Sequence, residues 1–154
     1  MADFDFIDAL GELPKEEEIK NELKEMTSFS KASSQIKERF YLFAAVIAKK
    51  IGSKITTTQL RRFYNYVKSV DLANRSKKGD SEDITDKYKL HFILPKIAGS
   101  SEKEKLHGLY EILSVCLSSH NGGKIKTVLD LRLFVEFFEA ILDYSASLQK
   151  EDSN

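Results

Sequence analysis

The stretch "KITTTQLRRFYNYVKSV", residues 54–70, indicates how the chain folds. Thr56, followed three residues later by Gln59, has the spacing of a capping box, in which a hydroxyl and an amide bind the free N–H groups at a helix start. After this cap, apolar side chains recur at about 100° per residue. They define one face: Leu60, Phe63, Tyr64, Val67 and Val70. The stretch therefore predicts an amphipathic helix that begins after Thr56.

The sequence on either side of this stretch is also helical in its periodicity. Residues 36–51 place apolar side chains at steps of three and four, and Gly52 can adopt the left-handed conformation that ends a helix. Residues 71–83 have no periodicity and are predicted to form a mobile linker. A third helix is expected from about Ile84, with a kink or a restart at Pro95, because the proline ring removes a backbone donor.

The C-terminal part continues the pattern. Ser101 and Glu104 repeat the capping-box spacing before a fourth helix, and a mostly apolar fifth helix is expected from Thr127 to about Leu148. Apart from "KIKTV", the alternation typical of strands is absent from the sequence, and so are internal repeats. We therefore predict an all-α fold, a compact bundle of about five helices in a single domain.

The composition argues against several functional classes. One Cys and three His do not form a zinc-binding pattern, and the sequence has no glycine-rich phosphate loop, so neither a metal nor another cofactor is expected. Cys116 and His120 lie four residues apart, but without a second pair we interpret them as structural. The carboxylates follow helix-surface spacing, so no enzyme is predicted. Without a leader-like N-terminus or about 18 consecutive apolar residues, we expect a cytoplasmic protein with no membrane partner.

Charge is divided unevenly along the chain. Residues 1–30 contain nine acidic and three basic residues, whereas no acidic residue lies between Glu38 and Asp71. We predict an acidic N-terminal segment over residues 1–30, either one helix or disordered, and a helical bundle domain over residues 31–150. The basic excess of the body indicates a polyanionic partner. The acidic segment could fold over the basic surface and compete with that partner.

Two kinds of nucleic-acid binding fit the opening stretch. Together with the preceding helix it resembles a helix-turn-helix, but Thr58 and Arg61 occupy positions where a recognition helix usually buries aliphatic residues. The link from Gly52 to Thr56 is also longer than the usual tight turn. A groove for single-stranded nucleic acid fits the residue types better, since Lys and Arg follow phosphates while hydroxyls, amides and aromatic rings hold sugars and bases.

Three segments together resemble one protein family. "ITTTQLRRFYNYV", "KLHFILPKIA" at residues 89–98 and "FVEFFEAILDY" at residues 134–144 are similar, in this order, to motifs of the small helical subunit of type III-A CRISPR effector complexes, the Csm small subunit. The resemblance covers residues of about 33 to 148. After Pro-Lys the family often continues with an aromatic residue and an Arg, whereas this chain has Gly99, Ser100 and "EKEK", which departs from the family pattern.

The resemblance implies a non-catalytic, RNA-binding structural role in antiviral defence. Family members stack in several copies along the effector filament and line the channel in which target RNA pairs with guide RNA. The implied partners are both RNAs, the backbone subunits, the large polymerase-like subunit and further copies of the chain. Matching the motifs residue by residue assigns RNA binding to Gln59, Arg61, Arg62 and Lys96. Charge and helical angle add Lys49, Lys50, Lys54, Asn65 and Lys68. Two alternatives stay open: a helix-turn-helix DNA-binding regulator, and a helical protein–protein adaptor that binds no nucleic acid.

Overall fold

Helices and loops make up the part of the chain that the structure, a computed structural model, describes: residues 4–118 and 123–149. A 3₁₀ turn, Asp8–Leu10, precedes the α-helices. These are α1 (Glu16–Glu25), α2 (Ser34–Lys37), α3 (Phe40–Ile51), α4 (Thr57–Ala73), α5 (Tyr88–His91), α6 (Ile93–Ala98), α7 (His107–Leu117) and α8 (Val128–Ser147). Residues 4–118 and 123–149 contain no strand, and the predicted all-α, single-domain fold is confirmed.

Capping boxes start the two longest helices. In α4, the Thr56 hydroxyl accepts the Gln59 N–H at 3.1 Å, and the Gln59 side-chain oxygen accepts the Thr56 N–H at 2.9 Å. This cap was predicted. In α8, Thr127 and Asp130 make the equivalent reciprocal pair, at 3.2 and 2.9 Å. Both caps satisfy backbone donors that would otherwise lack partners in the first helical turn.

Helix α8 lies at the centre of the core and packs mainly against α3 and α4. The ring of Phe29 stands edge-to-face against Phe134 of α8, with centroids 5.7 Å apart. The rings of Tyr64 in α4 and Phe138 in α8 pack together, with centroids 5.9 Å apart. Because neighbours cover α8 on several sides, it can be apolar over most of its circumference, as the sequence predicted.

The N-terminal segment contributes a helix to the core. Ile19 and Leu23 of α1 are fully buried, and so is Phe29 beyond its end. The Lys124 ammonium donates at 2.7 Å to each of the carbonyls of Lys24 and Met26, where a cation is favoured by the negative end of the α1 dipole. Residues 16–25 of this segment thus form a helix that packs into the core.

The segment at residues 71–83 differs from its prediction. Helix α4 extends to Ala73, and the remainder lies against the N-terminus of α8. There the N–H of Val128 donates to Ser81 at 2.9 Å, and the N–H of Leu129 donates to Gly79 at 2.8 Å. The prediction of a mobile linker is therefore wrong, since partners distant in sequence hold this aperiodic segment.

Helix boundaries in the third quarter of the chain agree with the prediction in part. The third helix begins at Tyr88 rather than near Ile84, but the predicted restart at Pro95 is confirmed, since α5 and α6 are separated at Phe92 and Pro95 lies in the first turn of α6. The fourth helix begins at His107 rather than after Ser101. Its predicted capping box is wrong, because the Ser101 hydroxyl donates to the neighbouring Glu102 carboxylate.

Candidate nucleic-acid interface

The exposed face of α4 carries the predicted arginine pair. Burial of Leu60 and Phe63 fixes the rotation of the helix, so that Arg61, Arg62 and Asn65 lie on its exposed side. Among the residues that the structure describes, neither arginine has an ion-pair partner. Two guanidinium groups without a neutralising carboxylate thus occupy adjacent positions on one helix.

Lys54 and Gln59 flank this pair at the start of α4. Lys54 is exposed in the turn between α3 and α4 and has no ion-pair partner within the described ranges. Gln59 is half-buried, and its side-chain oxygen is occupied by the capping box. Only its amide N–H groups remain available to bind RNA. Helix capping therefore explains in part, without RNA binding, why Gln59 occupies this position.

One edge of the exposed face is partly neutralised. The Lys68 ammonium lies 3.1 Å from an Asp71 carboxylate oxygen, and this hydrogen bond raises the pKa of Lys68. Glu139 of α8 adds to the negative environment. Of the predicted RNA-binding residues Arg61, Asn65 and Lys68, Arg61 therefore carries the positive charge that has no acidic neighbour.

The opposite edge of α4 is more basic and contains aromatic rings. Tyr66 lies one helical turn beyond Arg62, and the Lys96 ammonium of α6 stands 4.9 Å from the centroid of its ring, within range of a cation–π interaction. Burial raises the pKa of Tyr66, while nearby Lys89 lowers it and Tyr88 raises it. The structure thus brings Arg62 and Lys96, which are far apart in sequence, to the same edge.

Sequence reasoning missed two members of this edge, Tyr88 and Phe92. Their rings are 60% and 54% exposed and form a T-shaped pair with centroids 6.1 Å apart. Their spacing of four residues is visible in the sequence, but their exposure depends on the break between α5 and α6 at Phe92. We call the following residues the aromatic-basic edge: Arg62, Tyr66, Tyr88, Lys89, Phe92 and Lys96.

The two predicted lysines at the end of α3 have acidic neighbours instead. The Lys49 ammonium lies 3.7 Å from Asp8, and that of Lys50 lies 2.9 Å from Glu16. The Lys50 stem crosses α7 at Gly108, where a Cβ atom would stand only 2.9 Å from the Lys50 Cγ. Lys50 therefore belongs to a polar contact that joins α1, α3 and α7.

Comparison with known families now identifies the group to which this chain is related. Residues 34–151, more than half of the 154 residues, match the family model described as Csm2 Type III-A. The chain belongs to the Csm2 type III-A family. Csm2 is a structural subunit of type III-A CRISPR Csm complexes, which agrees with the resemblance of the three motifs. No curated protein and no solved structure matches the chain.

The Csm2 match includes α2 to α8 and begins after α1. All the predicted site residues lie inside the matched range, whereas Asp8 and Glu16, the partners of Lys49 and Lys50, lie before it. The acidic contacts at the end of α3 thus come from a part of the chain outside the family match.

Cys116 and His120 were interpreted from the sequence as structural residues, and the structure describes the first of them. Cys116 is fully buried, and burial raises the pKa of its thiol to about 12, so the thiolate is disfavoured. His120, its predicted neighbour, lies outside the described residues. Residues 4–118 and 123–149 contain no group of three metal-ligating side chains and no helix long and apolar enough to cross a membrane.

Proposed function

We propose that this Csm2 protein is a non-catalytic, RNA-binding structural subunit of a cytoplasmic type III-A effector complex. Several copies stack along the filament, beside the backbone subunits and the large polymerase-like subunit, and line the channel that holds guide RNA and target RNA for antiviral defence. The observation that carries the RNA contact is the exposed Arg61–Arg62 pair, which has no carboxylate partner among the described residues.

The contact is electrostatic and is expected to be independent of base sequence. An arginine can bind a phosphate with two parallel hydrogen bonds, and each phosphate neutralised on a single strand contributes about 0.7 to the dependence of log affinity on log salt. One subunit with a few such contacts binds weakly. Stacked copies bind more strongly because the first contact raises the effective concentration of the next.

The structure favours this proposal over a helix-turn-helix regulator. Thr58 and Arg61, which would have to pack into the core of a helix-turn-helix pair, are both exposed. The buried face of α4 packs mainly against α8 and has little contact with α3, which would be its partner in a helix-turn-helix. The helical bundle, and not a two-helix DNA-binding unit, therefore holds α4 in place.

The decisive experiment is the double variant Arg61→Ala/Arg62→Ala. We expect it to weaken binding to unrelated single-stranded RNAs by a common factor, and to reduce the salt slope by about 1.4 for two phosphate contacts. A matched control is Arg75→Ala/Lys78→Ala, which removes two exposed cations near the other end of α4. This control should leave both quantities close to those of the wild type.

Three results would contradict the proposal. Sequence-selective loss of binding would indicate base recognition, and tighter binding to duplex DNA than to RNA would favour the regulator. Absence of nucleic-acid binding together with a tight dimer would favour the adaptor. Circular dichroism of the double variant checks that helicity is retained. Co-expression with the other Csm subunits then tests whether the chain enters an RNA-containing particle.

A further inference from the structure

Tyr88 and Phe92 form an exposed aromatic pair that the fold does not use. Both rings lie on the outer side of the α5–α6 segment, whereas Leu90, Ile93 and Ile97 of the same segment are buried. Because the buried residues already anchor the segment, the two rings add exposed apolar area without contributing to the core. Exposed apolar groups that cluster commonly mark binding surfaces.

The aromatic-basic edge that contains this pair also contains cations. Lys96 lies over Tyr66 and has no carboxylate partner among the described residues. Lys89 lies between Tyr88 and Phe92 in sequence, and its positive charge acts electrostatically on the Tyr66 hydroxyl. Its ammonium also lies 3.4 Å from an Asp86 carboxylate oxygen. Rings beside basic groups are the combination with which proteins bind single-stranded nucleic acid, since the rings stack on bases while the cations neutralise phosphates.

A second exposed aromatic pair shows that exposure alone does not give this combination. Phe4 and Phe6 are 67% and 57% exposed, with centroids 4.9 Å apart. The hollow beside Phe6 is lined by Tyr41, Ala140, Asp143, Tyr144 and Ser147, which include a carboxylate and no cation. Charge thus favours a polyanion at the aromatic-basic edge and not at the Phe4–Phe6 pair.

We infer that the aromatic-basic edge stacks unpaired bases of an RNA strand whose phosphates are held by Arg62 and Lys96. This inference rests on the proposed function and adds a base contact to it. Within a duplex, bases stack on one another and their faces are not accessible, so the edge is selective for single-stranded or locally unpaired nucleotides. Stacking accepts every base, so the contact adds affinity without sequence preference.

The test compares two probes of equal length and backbone charge: a short oligouridylate RNA and its abasic counterpart. The wild-type protein should bind the RNA with bases at least about fivefold more tightly for each stacked base. Tyr88→Ala/Phe92→Ala should remove this difference and leave the salt slope unchanged. Tyr88→Phe/Phe92→Tyr, which keeps both rings, should restore the difference. Phe4→Ala/Phe6→Ala, which removes the other exposed T-shaped pair, should behave as the wild type.

Fluorescence provides a second measurement. The chain contains no tryptophan, so Phe92→Trp introduces a single indole reporter. Its emission should be quenched by the oligouridylate and not by the abasic probe at equal occupancy.

The outcomes separate this inference from the proposed function. Absence of wild-type binding to either probe would overturn both. Equal wild-type affinity for both probes, without quenching, would overturn base stacking while RNA binding stands. If Tyr88→Ala/Phe92→Ala kept the preference for bases but no longer assembled with the other Csm subunits, the edge would be a protein interface instead.

Discussion

Asp130 is the buried side chain that connects the two ends of the fold. Its carboxylate accepts the N–H groups of Lys126 and Thr127 at 2.9 Å each, and that of Ser30, which is 100 residues away, at 2.6 Å. The sequence predicted a helix start at Thr127 from the local pattern. The bond to Ser30 could not be predicted, because a local spacing contains no information on such a distant partner.

We predict that Asp130→Asn lowers the free energy of unfolding by about 2–3 kcal/mol near pH 7, because an amide NH₂ must then face a backbone N–H donor. Burial raises the pKa of Asp130, but its hydrogen bonds outweigh burial and hold it below the usual 3.8. The stabilisation is therefore complete above that unfolded-state value and is lost as the pH falls through the folded one. Urea unfolding of variant and wild type should show a difference that shrinks as the pH falls below 3.8.

The control is Asp143→Asn, which changes an exposed carboxylate on the same helix. It should shift stability by no more than about 0.5 kcal/mol. An Asp130→Asn protein as stable as this control would show that the three hydrogen bonds do not stabilise the fold.

At the scale of elements, helices with a strong period and a cap were predictable, whereas the segments between them were not. The start of α4 followed from Thr56 and Gln59, but the segment after it is held by tertiary contacts. Arg132 of α8 donates to the Lys77 carbonyl at 2.8 Å. Such contacts join positions that share no periodicity, and the aromatic-basic edge was missed for the same reason.

Asn74 is the residue on which this segment most depends. It is fully buried, donates to the carbonyls of Val70 and Thr85 at 2.8 and 3.0 Å, and accepts the Thr85 N–H at 2.7 Å. We predict that Asn74→Ala lowers the free energy of unfolding by about 2–3 kcal/mol, since it removes one buried and two part-buried hydrogen bonds to backbone groups. Hydrogen exchange at the Thr85 amide should accelerate more than the global change in stability requires.

Asn65→Ala provides the matched control, because it makes the same substitution at an exposed position of α4. Its stability should stay within about 0.5 kcal/mol of the wild type. Equal exchange rates at Thr85 in the Asn74 variant and the wild type would mean that Asn74 does not hold the segment.

At the scale of the whole molecule, the uneven charge of the chain becomes a contact between its two parts. The sequence predicted an acidic N-terminal segment and a basic body. In the structure, Asp8 and Glu16 of this segment form ion pairs with Lys49 and Lys50. Removal of residues 1–30 is no clean test of competition with RNA, because the deletion would also remove buried core residues of α1. Replacing acidic residues by their neutral amides removes charge from the N-terminal segment and keeps its packing.

We predict that Asp8→Asn/Glu16→Gln raises RNA affinity and increases the salt slope by up to about 1.4, since each lysine that is released can neutralise one phosphate. Stability should change little, because exposed ion pairs contribute about 0–1 kcal/mol. The control Glu12→Gln/Glu25→Gln raises the net charge by the same two units at exposed acidic residues of the N-terminal segment. Titration of the same single-stranded RNA at several salt concentrations compares the two variants. An equal gain in both would assign the effect to net charge alone, and no gain in either would place Lys49 and Lys50 outside the RNA-binding surface.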